Sequence, residues 1–182
     1  MSAYLDVIIA GFGGQGVMLA GNLLAHAGMD LGLNVTFIPI YGPEMRGGTA
    51  NCTVVISEEE IGSPIIRRPK SAIILNQPSL DKFQPRIEDG GTQIVNSSLA
   101  DVSLVENERL RSLCIPADEI AEKLRSRRRL TNMVALGAFI RATGIVPLEK
   151  AVAVLSKTIS GHYTGLIPQN AEALKAGYNY TP

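Results

Sequence analysis

The sequence predicts an α/β fold of the Rossmann-like type, a mostly parallel sheet flanked by helices with a helical C-terminal third. Three observations predict it. The apolar run Val7-Ile8-Ile9-Ala10 ends in the glycine-rich stretch Gly11-Phe12-Gly13-Gly14-Gln15-Gly16. An Ala/Leu-rich segment follows at once, with Val17, Ala20, Leu23, Leu24 and Ala27 at helical spacing. The β-branched run Asn34 to Ile40 then completes a strand, helix and strand within one βαβ unit, whose crossover should be right-handed and whose sheet should be parallel.

The first strand is placed at 4–10 and the first helix at about 15–32, opening at Gln15-Gly16 and marked at its end by Gly28 and Gly32. Pro39 inside the second strand (34–40) indicates an edge position, a bulge or an early end. A loop with three glycines and a proline spans Tyr41 to Thr49, and residues 50–57 alternate well enough to form a strand. Glu58-Glu59-Glu60 reads as a solvated turn. Residues 61–66 are a returning strand or an extended segment, and 71–75 a short buried strand. A helix over about 78–84 and a turn at 88–91 lead into a strand over 92–95. Further strands are expected at 102–105 and 112–115, the latter stopped by Pro116 ahead of a helix over about 117–125. Residues 131–143 are too apolar all round for a surface helix and should be buried. Helices over about 147–157 and 167–176 finish the chain.

With 182 residues, 46% apolar and 19% charged, the chain is expected to fold as one domain spanning 1–182 with a real core. Lys plus Arg equals Asp plus Glu at 17 each, which argues against a nucleic-acid binder. No leader and no apolar run of about 18 residues is evident, so no membrane contact and a cytoplasmic location are expected. Cys52 and Cys114 read as buried free thiols of a reducing compartment. Arg125, Arg127, Arg128 and Arg129 read as a charged helix end, the alternative being a docking patch for an acidic partner or a phosphorylated ligand.

Gly11, Gly13 and Gly16 fit the G-x-G-x-x-G spacing, which allows a sharp turn and close backbone approach at an anion-receptive helix start. A dinucleotide site would add an acidic residue at the end of the second strand for a ribose hydroxyl. Here that strand ends Pro39-Ile40-Tyr41, and the first carboxylate, Glu44, lies 28 positions after Gly16 within the glycine-rich loop. NAD is disfavoured by this. His26 and His162 lack the paired spacing of a zinc site, and no nucleophile motif accompanies them. No catalytic residue and no metal ligand is assigned to the chain. Two cysteines are too few for a four-thiolate iron–sulfur cluster.

Several stretches together resemble the gamma subunit of 2-oxoacid:ferredoxin oxidoreductases. They are Gly11-Phe12-Gly13-Gly14-Gln15-Gly16-Val17, the Tyr41-Gly42-Pro43-Glu44-Met45-Arg46-Gly47-Gly48-Thr49 loop running on to Cys52, Ile61 to Pro64, and Leu75 to Phe83. Val95 to Ser98, Ile115 to Ala121, Asn132 to Gly137 and Ile167-Pro168 continue the resemblance over nearly the whole chain. Within that family the chain is most similar to the separate gamma chain of the 2-oxoglutarate enzymes, with the pyruvate and branched-chain enzymes close behind.

The resemblance implies a complex that decarboxylates a 2-oxoacid on thiamine diphosphate, passes the acyl group to coenzyme A and reduces ferredoxin through iron–sulfur clusters. Alpha and beta subunits, and in some members a delta subunit, would be the partners and would carry the thiamine diphosphate and the clusters. The gamma chain would supply a docking domain linked to coenzyme A binding, inactive by itself and self-associating when isolated. On that match Gly11, Gly13, Gly14, Gln15 and Gly16 shape one cofactor-binding turn. Tyr41, Glu44, Met45, Arg46, Gly47 and Gly48 form a second loop at the C-terminal end of the adjacent strand. Arg46 suits a phosphate or a partner carboxylate, and Glu44 with Arg46 would otherwise stiffen a subunit interface. The competing readings are a stand-alone nucleotide-binding oxidoreductase and a ligand-free Rossmann-like structural module.

Overall fold

The sheet is laid down around β1 (Tyr4–Phe12), whose apolar run places seven consecutive residues, 5–11, out of solvent. A strand with both faces covered needs such a run. The computed structural model describes residues 3–41, 49–124, 130–159 and 161–182. The other strands are β2 (Asn34–Tyr41), β3 (Thr49–Ser57), β4 (Ser71–Ile74), β5 (Thr92–Asn96) and β6 (Arg111–Ile115). They lie in the order β2-β3-β1-β4-β5-β6. β1, β4, β5 and β6 pair in parallel, while β3 runs antiparallel to both β1 and β2.

The predicted fold class is therefore found, with one correction to the first βαβ unit. β2 is not the neighbour of β1, because β3 folds back between them. The register shows the consequence at the far end of the sheet: Phe12 of β1 pairs with Thr49, and Tyr41 of β2 pairs with Ala50. Both sequence-predicted loops thus start from the same end of the sheet, the second joining β2 to β3, whose Thr49 pairs with Phe12. β2 is an edge strand, the first of the three readings of Pro39, since proline has no N–H to give to a second neighbour.

The helices are α1 (Val17–Met29), α2 (Gln77–Phe83), α3 (Ala117–Lys123), α4 (Thr131–Thr143), α5 (Leu148–Ala153), α6 (Leu155–Thr158) and α7 (Ile167–Tyr178). One face of the sheet, through Ile9, Cys52, Val54, Ile73 and Ile94, meets α1, α4 and α7 in the main core. Alternate residues, Ala72, Ile74 and Val95, turn to the other face and meet Leu80 of α2. This period-two division is what a strand buried on both faces requires.

Some expectations are corrected. Residues 102–105 form no strand; Val102–Leu104 is a 3-10 turn, started by the Asp101 side chain accepting from the Ser103 amide at 2.9 Å. Residues 61–66 stay irregular, the second of the two readings. The helix expected over 147–157 is two short ones, α5 and α6, meeting at Val154. α1 begins at Val17, after Gln15 and Gly16 rather than with them. Gly28 does not end α1 but lies within it against Val35 and Ile56, whereas Gly32, at φ 76°, makes the turn that follows. The arginine cluster at 125–129 lies outside the described residues. Cys52 is buried and Cys114 only half-buried, both as free thiols. Among the described residues no helix is long and apolar enough to cross a membrane.

α4 is the centre of the helical layer, with residues 131–140 all buried. Its contact with α7 depends on two glycines. A Cβ on Gly177 would land on the Val134 carbonyl oxygen, and one on Gly137 on the Leu174 carbonyl oxygen. The helices pack backbone to backbone at this crossing. Gly177→Ala is expected to cost roughly 3 kcal/mol in urea unfolding, since backbone cannot yield as a flexible side chain does. Gly165→Ala, where a Cβ meets open space, should stay within about 0.5 kcal/mol. A second expectation concerns Cys52, whose thiol burial pushes up to about 12. At pH 8 only about one molecule in ten thousand would be thiolate, so iodoacetamide should label Cys52 only on unfolding. Rapid labelling of the native chain would show that α1 lifts from the sheet.

Candidate functional site

The turn after β1 is closed by a side chain. Gln15 is buried, its side-chain Oε1 accepts from the Phe12 backbone amide at 2.6 Å, and its backbone N–H donates to the Phe12 carbonyl at 3.1 Å. Gly11 leaves room for this, because a Cβ there would sit 2.7 Å from Gln15 Oε1. Gly16 is the N-cap of α1 at φ 75° and ψ 23°, a left-handed conformation that favours glycine, and no side chain caps the helix start. Gly14, at φ 95°, is the other left-handed residue of the turn. Gly13 is exposed. The glycine spacing is thus realised for reasons partly different from a pyrophosphate cradle: Gly11 makes space for Gln15, and Gly14 with Gly16 reverse the chain.

From Gln15 a run of buried amides crosses the C-terminal ends of the parallel strands. Asn76 donates to Gln15 Oε1 at 3.0 Å while capping α2 at the Ser79 amide. Gln15 Nε2 and Asn96 Nδ2 both donate to the Leu75 carbonyl, at 3.3 and 3.1 Å. Asn96 also donates to Asp118 Oδ2 at 2.7 Å, and its Oδ1 accepts from the Ala117 amide at 3.1 Å. Thr131 Oγ1 donates to Asp118 Oδ1 at 2.8 Å. The next residue, Asn132, donates from Nδ2 to the Gly16 carbonyl at 3.0 Å. The loop of interactions therefore closes on the turn where it began. Buried polar groups tied at this many points are rigid, because releasing one leaves its partners unsatisfied.

Beside the turn lies a cleft of about 340 Å³. Gly14, Gly16, Asn132, Thr158 and Asn170 supply its polar lining, and Leu19, Leu130, Ile159 and Leu166 its apolar lining. The cleft joins the start of α1 to the start of α4 and to the C-terminal segment, a meeting of elements 116 positions apart at Asn132 and Gly16. An open helix start beside an apolar cleft suits a ligand with an anionic group and an apolar arm.

Of the sequence-predicted site residues, Gly11, Gly13, Gly14, Gln15 and Gly16 are on the turn described, Gln15 as the buried tie that shapes it. The strand β2 ends at Tyr41 at the same end of the sheet, and Glu44, Met45, Arg46, Gly47 and Gly48 lie outside the described residues. Asn132, Asn96, Asp118 and Thr131 were not assigned to the site by sequence reasoning. The signal available was polar residues at the ends of elements, Asn96 closing β5 and Thr131 with Asn132 opening an otherwise largely apolar helix. Among the described residues no three His, Cys, Asp or Glu side chains gather as a metal site. Cys52, on β3 beneath α1, and Cys114, on the edge strand β6, belong to different parts of the sheet.

A family model described as pyruvate ferredoxin/flavodoxin oxidoreductase matches residues 6–180. The chain is 40% identical over 176 residues to the ketoisovalerate oxidoreductase subunit VorA of Methanothermobacter marburgensis, covering 96% of this chain and 36% of that protein. It thus spans about a third of the length of that relative. It is 33% identical to the 2-oxoglutarate synthase subunit KorC of the same organism, covering 94% of each. Among solved structures, a keto/oxoacid ferredoxin oxidoreductase gamma subunit from Geobacter sulfurreducens superposes with a TM-score of 0.81 at 26% identity, covering 97% of this chain and 95% of that one. The 2-oxoglutarate:ferredoxin oxidoreductase from Magnetococcus marinus, with 2-oxoglutarate, coenzyme A and succinyl-CoA bound, gives 0.84 at 26%, covering 96% of this chain and 30% of that one. Matched by the family model from residue 6 to residue 180, the chain belongs to the pyruvate ferredoxin/flavodoxin oxidoreductase family.

Proposed function

We propose that the chain is the gamma subunit of a 2-oxoacid:ferredoxin oxidoreductase and binds coenzyme A at the glycine turn. The observation that carries the coenzyme A reading is the open N-terminus of α1 at Gly16, rigidly held and set beside an apolar cleft. A phosphate suits the unpaired N–H groups of such a helix start, and an uncharged arm suits the cleft. The Tyr41–Thr49 loop leaves the same end of the sheet, and Arg46 on it is suited to a second phosphate or to a partner carboxylate.

The chemistry of the whole complex rests on other subunits in this reading. Alpha, beta and in some members delta chains carry thiamine diphosphate and the iron–sulfur clusters, in keeping with two separated cysteines here. Decarboxylation and electron transfer to ferredoxin occur on those chains. This chain contributes as one domain: it docks, positions coenzyme A as acyl acceptor and excludes water around the turn. The 2-oxoacid is 2-oxoglutarate, a choice supported by the end-to-end match to KorC and the likeness to the Magnetococcus enzyme. A branched-chain acid is the second reading, favoured by the higher identity to VorA.

The reconstituted complex is expected to turn over 2-oxoglutarate faster than pyruvate or 3-methyl-2-oxobutanoate, and the isolated chain to turn over none. Preference for the branched acid would transfer the assignment to the second reading. Arg46→Ala should weaken coenzyme A binding to the complex roughly tenfold, and an unchanged dissociation constant would sink the ligand role of that loop. Asn132→Leu removes the amide that holds the Gly16 carbonyl. It should raise KM for coenzyme A roughly tenfold while leaving KM for the 2-oxoacid in place. Equal changes in both would mean a general loss of structure.

A further inference from the structure

The end of the sheet opposite the glycine turn carries a different surface. Residues 61–70 run irregularly across the N-terminal ends of β1 and β4, and Ile65 on this segment is 71% exposed. Around it stand Arg67, Arg68 and Lys70, lining with Tyr4, Asp6 and Glu88 an open cleft of about 390 Å³. Arg86 is fixed beside them, donating from Nε and Nη2 to the Arg67 carbonyl at 3.4 and 3.3 Å with its guanidinium 5.4 Å from the Phe83 ring centroid. Lys70 Nζ lies 4.5 Å from the Tyr4 ring centroid.

Two features set this patch apart from an ordinary solvated face. Its four cations make no ion pair among the described residues, although the chain has as many acidic as basic residues. Two carboxylates line the cleft, and Asp6 lies within the field of Lys70. Asp6 is buried and spends its Oδ1 on the Lys70 backbone amide at 2.6 Å, and Glu88 is the one other carboxylate in the cleft. The segment is also held in shape: the Pro69 carbonyl accepts from the Glu88 amide at 2.9 Å, and Arg86 grips the Arg67 carbonyl. An exposed apolar side chain ringed by arginines on a preformed segment is the composition of a protein-docking hot spot.

We propose that this surface docks an acidic segment of another subunit of the same complex, with carboxylates meeting Arg67, Arg68 and Arg86 and an apolar hollow receiving Ile65. The assignment of the partner rests on the gamma-subunit reading above. Small-molecule ligands of open α/β sheets bind at the C-terminal strand ends, where the glycine turn is, which leaves this opposite end for assembly. Charge supplies the choice of partner: guanidinium groups without an ion-pair partner favour carboxylates, and forked donors hold them in a fixed orientation.

The test uses the complex purified through a tag on this chain, with release of the chain followed by sedimentation velocity as sodium chloride is raised. The paired substitution Arg67→Glu and Arg68→Glu should raise the dissociation constant roughly tenfold or more at about 0.1 M salt and flatten its salt dependence. Ile65→Asp should weaken assembly at low and high salt alike. Arg111→Glu with Lys175→Glu, exposed cations elsewhere, should leave it unchanged. Wild-type affinity in the Arg67/Arg68 and Ile65 variants overturns the proposal, as does equal weakening by the control pair. A salt-sensitive homodimer of the isolated chain, abolished by the same variants, would assign the surface to the exposed Glu58-Glu59-Glu60 run of a second copy and also overturn it. If no other oxidoreductase subunit accompanies the wild-type chain, the gamma-subunit reading falls and this proposal with it. An assembled complex indifferent to the patch removes only the docking surface.

Discussion

Helix α4 can occupy only one place, and the rest of the molecule follows from that constraint. Its first ten residues are buried on every side, so sheet, α1 and α7 must all close around it. Gly137 and Gly177 let α7 approach to backbone contact, a distance that any side chain at either position would prevent. The same helix opens with Thr131 and Asn132, whose polar ends reach Asp118 and the Gly16 carbonyl. Packing along its length therefore fixes the register of its start, and the start holds the glycine turn. Core energetics and site geometry are one problem here, because a shift of α4 moves both.

The sheet shows how a local rule meets a global one. The β1–α1–β2 unit is recognisable from periodicity, yet its strands are separated by β3, which is antiparallel to both. The connection between β2 and β3 is short, and a short connection favours an antiparallel neighbour over a parallel crossover. β3 is buried over eight of its nine residues, which is the property of an interior strand, whereas β2 with Pro39 belongs at the edge. α1 spans this arrangement by lying close on it. A Cβ on Gly21 would meet Cys52 and Phe37, and one on Gly28 would meet Val35 and Ile56, so both glycines serve the close contact alongside the buried Ala20 and Ala27.

The two ends of the sheet divide the labour by chemistry. At the C-terminal end, buried amides satisfy one another and leave an uncapped helix start beside a cleft. At the other end, charged and apolar groups face outward on a segment held by backbone hydrogen bonds. The first arrangement is rigid because releasing one buried amide would leave its partners unsatisfied, which is costly away from water. The second stays open because water solvates its cations until something with complementary charge displaces it.

Sequence alone determined the elements whose physics is local. The buried strand ending in glycines, the largely apolar helix at 131–143 with its bounds, and the family resemblance were all legible from spacing and residue type, while Pro39 left an edge, a bulge and an early strand end open. The 102–105 strand failed because a local Asp101 side-chain bond outcompeted β propensity, and the 147–157 helix is interrupted at Val154. Only the tertiary structure decided the position of β3 and the tie from Asn132 to Gly16. It also decided that Gly11 serves Gln15 and that Arg67, Arg68 and Lys70 line one cleft with Ile65. Each of these depends on residues far apart in the chain meeting across the sheet, and no periodicity within one segment encodes the identity of a partner in another.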